Sequence, residues 1–415
     1  MIQDKYLLVI MIPCYVDEEN RRSTDALWNK DIIKHLVQIS DLTLAAPARY
    51  EAPPDKAVPI DPALVEGTLS YLDLPPCNTT ISALLSIPTA ALRLWRAIGE
   101  SDIVHVNVGG WPISFGWIAA PIAKLRGKFV LTNIESAAWR LGWRRPLQLK
   151  GLVQALVFEA MARFCVNISD LATFTHEGYR EGMLASWRRH RGHVFSASWI
   201  DEEVILTRAQ AEAIWREKLE APPHPLRVVF AANLSPGKGA SVLLEALKIL
   251  DRRGIPVDVR MYGRGPLHDE CVAVARQLNR GVALTMGGLL DYGEAFFEML
   301  RDHDLLVAPS ISDEQPRIIY DCFSQALPVI ASDTPGLRQC FSDMPDQKFV
   351  PAGDACALAD AIAWASDHRE QLRDLGIMGL DSARASTHDQ MHYRRAELVQ
   401  TMMNNRRKHV RPARS

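Results

Sequence analysis

The chain has 415 residues, 48% hydrophobic and 23% charged, with a formal net charge of −2. That length is too great for one ordinary hydrophobic core and predicts two domains, while the near-neutral charge excludes a global pull toward nucleic acid. Cysteines 14, 77, 165, 271, 322, 340 and 356 are scattered without a CxxC spacing, which excludes a disulfide framework or a zinc site and predicts a reducing compartment. No apolar run reaches ~18 residues, so no spanning helix is expected. The polar start Met1–Lys5 leads directly into Tyr6–Ile12, which reads as a buried strand and not a signal peptide. A cytosolic protein is expected.

Strand-length apolar runs alternate with helix-length amphipathic segments, the pattern of an α/β protein with parallel sheets. In the first half, strands are predicted at Tyr6–Ile12, Leu42–Ala45, Asp102–Asn107, Phe129–Thr132, Leu171–Thr175 and Val194–Phe195. Helices are predicted over Asp25–Ile39, Ile81–Ile98 (starting or kinking at Pro88), Trp111–Leu125, Leu152–Arg163 and Glu177–Trp187. The Pro-rich segment 47–62 and the acidic-then-basic stretch after Pro13 read as loops. Residues 220–226, with three prolines, are the clearest break and predict a linker between a first domain at 1–219 and a second at 227–380. In the second half, strands at 227–231, 257–262, 282–286 and 304–308 alternate with helices at 240–252, 267–278 and 293–302, followed by helices at 355–366 and 368–377. Residues 381–415 hold a helical Tyr393–Arg407 and a basic tail. Doubly wound domains of this kind bind ligands at the carboxyl ends of their strands.

Three features of the second half carry chemistry. Ala232–Gly239, between a strand and a helix, contains Gly237 and Gly239 for close backbone approach and Lys238 for charge, beside the unpaired N–H groups of a helix N-terminus. That combination suits a diphosphate. Tyr262–Leu267 supplies a Gly263-Arg264-Gly265 turn after the next strand, and Gly287-Gly288 follows the one after that. Asp313–Pro335 places Asp313 in a loop and Asp321 on a following short helix over 316–326, with Pro316 at its first turn. Two carboxylates so placed can hold two ends of an extended polar ligand.

This last layout resembles the donor motif of the GT-B, family-4 type of retaining glycosyltransferase, usually Glu-x7-Glu followed by a small-residue turn, Pro-Val-Ile/Val-Ala and Asp. The likeness is strong over about 227–370 and only topological before it. It implies an α/β GT-B fold, two Rossmann-like domains facing across a cleft, with the C-terminal helix crossing back to the first domain and closure gating the reaction. It also implies transfer of a hexose-type sugar from a UDP- or GDP-linked donor to a glycan, lipid-linked or small-molecule acceptor, without metal or other cofactor. Front-face attack then needs no protein nucleophile, and catalysis rests on positioning and leaving-group stabilisation.

Carried over by position, Asp313 orients the sugar, with Glu314 as the alternative one residue on, Asp321 holds the ribose, and Lys238 holds the diphosphate. Gly239, Gly263, Arg264, Gly287, Gly288, Gln315, Pro316 and Arg317 complete the donor-binding set. Leu234, Lys238 and Gly239 match the family's Gly-Arg-Leu-x3-Lys-Gly, but Asn233 stands where arginine is usual and supplies no charge. Arg21 or Arg22 could substitute for that cation. A non-catalytic GT-B partner subunit is the alternative these departures motivate, and a sugar-nucleotide 2-epimerase is a third.

In the first domain the acceptor candidates are Arg21, Arg22, Asn107, Gly109, Gly110, Asn133 and Glu135. His105 falls where the family has Asp-x-x-His-x-His, which makes it a catalytic candidate; a histidine inside an apolar strand is otherwise a satisfied core residue. Two stretches mix aromatic and basic residues, Trp139–Arg145 and Trp187–Arg191. Trp139, Arg140, Trp143, Arg144 and Arg145 could make peripheral contact with an anionic membrane at its inner face; the alternative is a surface helix with snorkelling side chains. Neither stretch predicts nucleic-acid binding.

Overall fold

The structure is a computed structural model that describes residues 1–61, 65–110, 112–140 and 149–410. The chain divides into two compact units, Met1–Phe195 with Asp389–Ser415, and Ser196–His388.

The first unit contains β1 (Tyr6–Val9), β2 (Cys14–Val16), β3 (Arg22–Asp25), β4 (Asp41–Arg49), β5 (Ala57–Pro59), β6 (Thr68–Leu74), β7 (Ile103–Asn107), β8 (Phe129–Ile134), β9 (Leu171–Phe174) and β10 (Gly192–Val194). Its helices are α1 (Ala26–Gln38), α2 (Thr80–Glu100), α3 (Gly116–Leu125), α4 (Leu149–Ile168) and α5 (Glu177–Met183), joined by the chain's last helix. Parallel pairing runs β6-β4-β1-β7-β8-β9-β10. Strands β1 and β9 are buried along their whole length, as expected where helices cover both faces of a parallel sheet.

Several expectations change here. The stretch after Pro13 is not a loop: β2 and β3 pair antiparallel around Asn20, which takes a left-handed φ of 61°. Pairing of β2 with β4 draws the hairpin onto the sheet, and β5, inside the expected 47–62 loop, adds to β3. Strand β6 was not expected at all; it is a partly exposed neighbour of β4 and carries no continuous apolar run. Helix α2 starts ahead of Ile81 because Thr79 and Ser82 form a reciprocal capping box, which leaves Pro88 inside the helix. Helices α3 and α5 are shorter than their apolar patterns, and Ser186–Arg191 is a 3-10 turn.

The second unit holds α6 (Arg208–Glu220), β11 (Leu226–Ala231), α7 (Ala240–Arg253), β12 (Val257–Tyr262), α8 (His268–Ala275), β13 (Val282–Gly288), α9 (Glu294–Asp302), β14 (Leu305–Ala308), α10 (Ile318–Ser324), β15 (Val329–Ser332), α11 (Pro335–Cys340), β16 (Phe349–Val350), α12 (Ala355–Asp367) and α13 (Arg369–Ala385). Its sheet runs β13-β12-β11-β14-β15-β16, all pairs parallel. Renumbered along the parallel strands of each unit, both sheets follow the doubly wound order 3-2-1-4-5-6, extended by a seventh strand, β10, in the first unit, so each has one switch point, at β1/β7 and at β11/β14.

The Pro-rich 220–226 segment does not separate the units. Helix α6, capped by Thr207 and Gln210, precedes it and belongs to the second core. Trp215 is 2% exposed, and its indole N–H donates to Ala326 O at 2.9 Å. Burying an indole stabilises by several kcal/mol, which fixes 196–226 to the second unit. The boundary falls at Phe195/Ser196.

The final helix, α14 (His388–Val410), is held in the first unit by a buried polar cluster. Arg395 Nη2 donates at 2.8 Å to both His35 Nε2 and His392 Nδ1, and His392 Nε2 lies 3.0 Å from Asp31 Oδ1. The Tyr6 hydroxyl hydrogen-bonds His105 Nδ1 at 3.0 Å beside them. Burial, with the Arg395 charge, holds His105 and His392 well below the usual imidazole range. Both therefore stay neutral in the folded state while the unfolded chain takes up protons below about pH 6.5. Unfolding then gains protons, so stability is lost as pH falls through 6.5. Thermal melts from pH 7.5 to 5.5 should show this fall, with a shallower slope in His392→Gln.

Candidate functional site

Four strand ends in the second unit converge on its switch point. After β11 the chain makes a single 3-10 turn at Pro236–Lys238 and enters α7 through Gly239, whose φ is 78°. No side chain caps α7, so its first N–H groups stay open toward a ligand. A Cβ on Gly239 would lie 1.8 Å from Pro309 O, so only glycine lets this turn close on the loop after β14. Ile311 and Ser312 N–H groups both donate to Gly237 O, at 3.0 and 3.2 Å. This clamp sets Lys238 beside Glu314, whose side chains form an ion pair and are 26% and 18% exposed.

The neighbouring turns are interlocked by backbone. Leu234 N–H donates to Arg264 O, Leu267 N–H to Leu234 O, and Gly263 N–H to Gly288 O at 2.8 Å. Gly263 has φ 138° and approaches Ala232 O so closely that a Cβ would lie 2.0 Å away. Gly287 packs on the Tyr262 ring. Asn233 and Arg264 are exposed on adjacent turns, and Arg264 forms no ion pair among the described residues.

The loop of Asp313 and Glu314 rests on Gly336 at the start of α11, where a Cβ would meet Glu314 O at 2.3 Å. Gln315 is buried and accepts from Ala197 N–H at 2.6 Å, so it anchors the loop to the segment entering the unit. Pro316 is half-buried, and the exposed Arg317 lies 4.1 Å over the Trp199 ring. Asp321 is 6% exposed and accepts from the Tyr292 hydroxyl at 3.0 Å. Burial and the Asp321 carboxylate push the Tyr292 phenol up, so it stays a proton donor to that carboxylate. Trp199 and Tyr292 were missed in the sequence, where neither belongs to a motif. Asp333 is held to Arg338 and below the usual carboxylate range by that hydrogen bond.

Residues 211–379 match the family model of glycosyl transferases group 1. That match covers less than half of the chain and lies within the second unit. Alpha-D-kanosaminyltransferase of Streptomyces kanamyceticus is 26% identical over 67% of this chain and 71% of that protein. Phosphatidyl-myo-inositol mannosyltransferase of Mycobacterium leprae is 34% identical over 31% of this chain and 33% of that protein. A solved structure of Anabaena HepE matches 96% of this chain and all of its own with a TM-score of 0.63 at 14% identity. The chain therefore has the GT-B fold.

The first-unit candidates do not form a comparable charged site. His105 is 3% exposed inside the Tyr6–Arg395 cluster, so the catalytic role expected for it gives way to a core role. Arg22 is bound to Asp73 at 2.5 Å, and Arg21 to Asp17 and Glu19, so both cations are already neutralised. Asn107, Gly109, Gly110, Asn133 and Glu135 do lie at the carboxyl ends of β7 and β8. Asn107 Oδ1 accepts from Gly109 N–H, and Asn133 Nδ2 donates to Glu135. Gly110, at φ 123°, packs on Met11 across the β1/β7 switch point. Trp139 and Arg140 both donate to the buried Glu159, while Trp143, Arg144 and Arg145 lie outside the described residues.

Asp31, His35 and His392 have ligand atoms within 4.8 Å of one another. The Arg395 guanidinium already occupies one nitrogen of each histidine, and its charge opposes a metal cation there.

The close approach at Gly239 has a measurable cost. Gly239→Ala should lower unfolding free energy by roughly 2–4 kcal/mol in urea melts. Gly288→Ala, left-handed at φ 73° with nothing near its Cβ, should cost only about 1 kcal/mol.

Proposed function

We propose that this protein is a retaining glycosyltransferase that moves a hexose-type sugar from a nucleoside diphosphate to an acceptor hydroxyl. The observation that carries this is the Lys238–Glu314 pair, held at the β11/β14 switch point against the uncapped N-terminus of α7. A diphosphate bound there meets Lys238 and the α7 N–H groups, which stabilise it as it leaves without a divalent cation. Arg264, one turn away, supplies the cation that Asn233 lacks, while Arg22 is held in a partly buried pair with Asp73. Asp321, fixed by Tyr292, faces the ribose, and Asp313 or Glu314 orients the sugar hydroxyls. Attack proceeds on the face from which the diphosphate departs, so catalysis rests on positioning.

Two further likenesses support the donor class. Anabaena HepE has been solved with UDP and with UDP-glucose. The relatives named above transfer kanosamine and mannose, by their names. A uridine donor carrying a hexose is the reading we adopt, with the acceptor bound by the first unit.

Thermal shift against UDP-glucose, UDP-N-acetylglucosamine and GDP-mannose tests it directly. A donor at 100 times its Kd stabilises by about 2.7 kcal/mol, and Lys238→Ala and Arg264→Ala should each remove most of that shift. Slow donor hydrolysis should fall roughly 10²–10³-fold in Lys238→Ala. Absence of a shift with every nucleotide would sink the proposal.

A further inference from the structure

The first unit carries an unusual layer. Helices α2, α3 and α4 lie side by side against one face of its sheet. In α2 the side turned to the core is narrow and partly small: Ala83, Ala90, Leu94 and Ile98. At helical spacing on the opposite side stand Ile81, Leu84, Leu85, Leu92 and Trp95, all exposed, with Leu85 at 77%. Helix α4 repeats this, burying Ala155, Phe158, Ala162 and Cys165 while Leu149, Val153, Leu156, Val157 and Phe164 face out. Between them, α3 ends in Leu125, 81% exposed, on the same side as the half-buried Trp117 and Ile118. Single exposed leucines are ordinary; outward apolar stripes on three adjacent helices mark an interaction surface.

The charges on this layer are one-sided. Arg93, Arg96 and Lys150 are exposed on α2 and α4. The acids on these helices are Glu100 and Glu159, and Glu159 is buried and neutralised by Arg140 and Arg163. The Arg126 guanidinium lies 4.7 Å over the Trp95 ring, an aromatic and cationic pair of the kind that sits at the boundary between lipid tails and headgroups. By length and composition α2 and α4 could each cross a membrane, but their inner faces are committed to the sheet of this unit.

We infer that the outer face of α2, α3 and α4 docks on an anionic phospholipid bilayer, lying in its interface without crossing it. A bilayer accepts a broad apolar face without demanding register, and its phosphates complement the cations around that face. Trp139 and Arg140 do not contribute to this contact, since both turn inward to Glu159. It does not depend on the donor site.

Vesicle co-sedimentation of the full chain tests the inference, with phosphatidylcholine alone and phosphatidylcholine mixed with phosphatidylglycerol. The protein should pellet with the mixed vesicles and much less with the neutral ones. Leu84→Ser with Leu85→Ser, and separately Phe164→Ser, should each weaken binding roughly tenfold or more, while thermal melts and the nucleotide-induced shift stay unchanged. No pelleting with either vesicle, equal pelleting with both, or binding unaffected by both variants would overturn it. So would a lipid-free dimer by light scattering that these variants dissociate, because a second copy of the chain would then cover the face.

Discussion

The contact between Gly239 and the Pro309 carbonyl governs the rest of the second unit. Strands β11 and β14 are neighbours, but their following segments leave toward opposite faces of the sheet, and nothing in the ladder itself holds the two turns together. The clamp does so through a missing Cβ and two hydrogen bonds to Gly237 O. Lys238 and Glu314 then meet as a consequence of backbone position. Their pair is partly exposed, so as a stabilising interaction it is worth little. Its importance is placement: a cation and an anion are held where the sheet opens, at the site proposed above for the donor.

The two units share a strand order and use it differently. At the first switch point, Phe115 N–H donates to Met11 Sδ and Gly110 packs on Met11, so the crevice is closed by a thioether. The polar groups around it are satisfied internally, as in the Asn107–Gly109 and Asn133–Glu135 bonds. Charge in this unit is instead concentrated beneath the sheet, where Arg395, Asp31 and two histidines bind α14 to α1. Such a buried network is worth having only when every member is paired, because a stranded charge there costs several kcal/mol. Arg395 bridging both imidazoles meets that condition, and this is why the end of the chain returns to the first unit.

The second unit was largely legible in the sequence because its elements follow one rule at a time. Each strand is a short apolar run, each turn is marked by glycine or proline, and the acids and lysine fall at fixed offsets. What could not be read was anything fixed by a distant partner. Trp215 and the segment 196–226 look detachable until Ala326 O is found 111 positions away. Tyr292 and Trp199 gain meaning only from Asp321 and Arg317. His105 matched a motif position, yet its strand faces α1 and α14, and two helices from opposite ends of the chain bury it. The β2–β3 hairpin escaped because charge dominates its composition while β4 supplies its pairing.

Periodicity also says which positions are apolar without saying what covers them, and α2 shows the difference. A helix that serves only its own core puts large apolar residues inward and polar ones outward. Here alanines take two of the inward positions, while Ile81, Leu85, Leu92 and Trp95 face out. Small inner residues bring the helix close to the sheet, and the larger side chains are left where water would penalise them at about 25 cal/mol per Å². Nothing in the folding of the first unit requires that arrangement, since polar residues at the same outward positions would preserve every buried contact of α2. The inverted placement is therefore a constraint imposed from outside the core, and the cations around it narrow that outside to something apolar beneath and negatively charged at its surface.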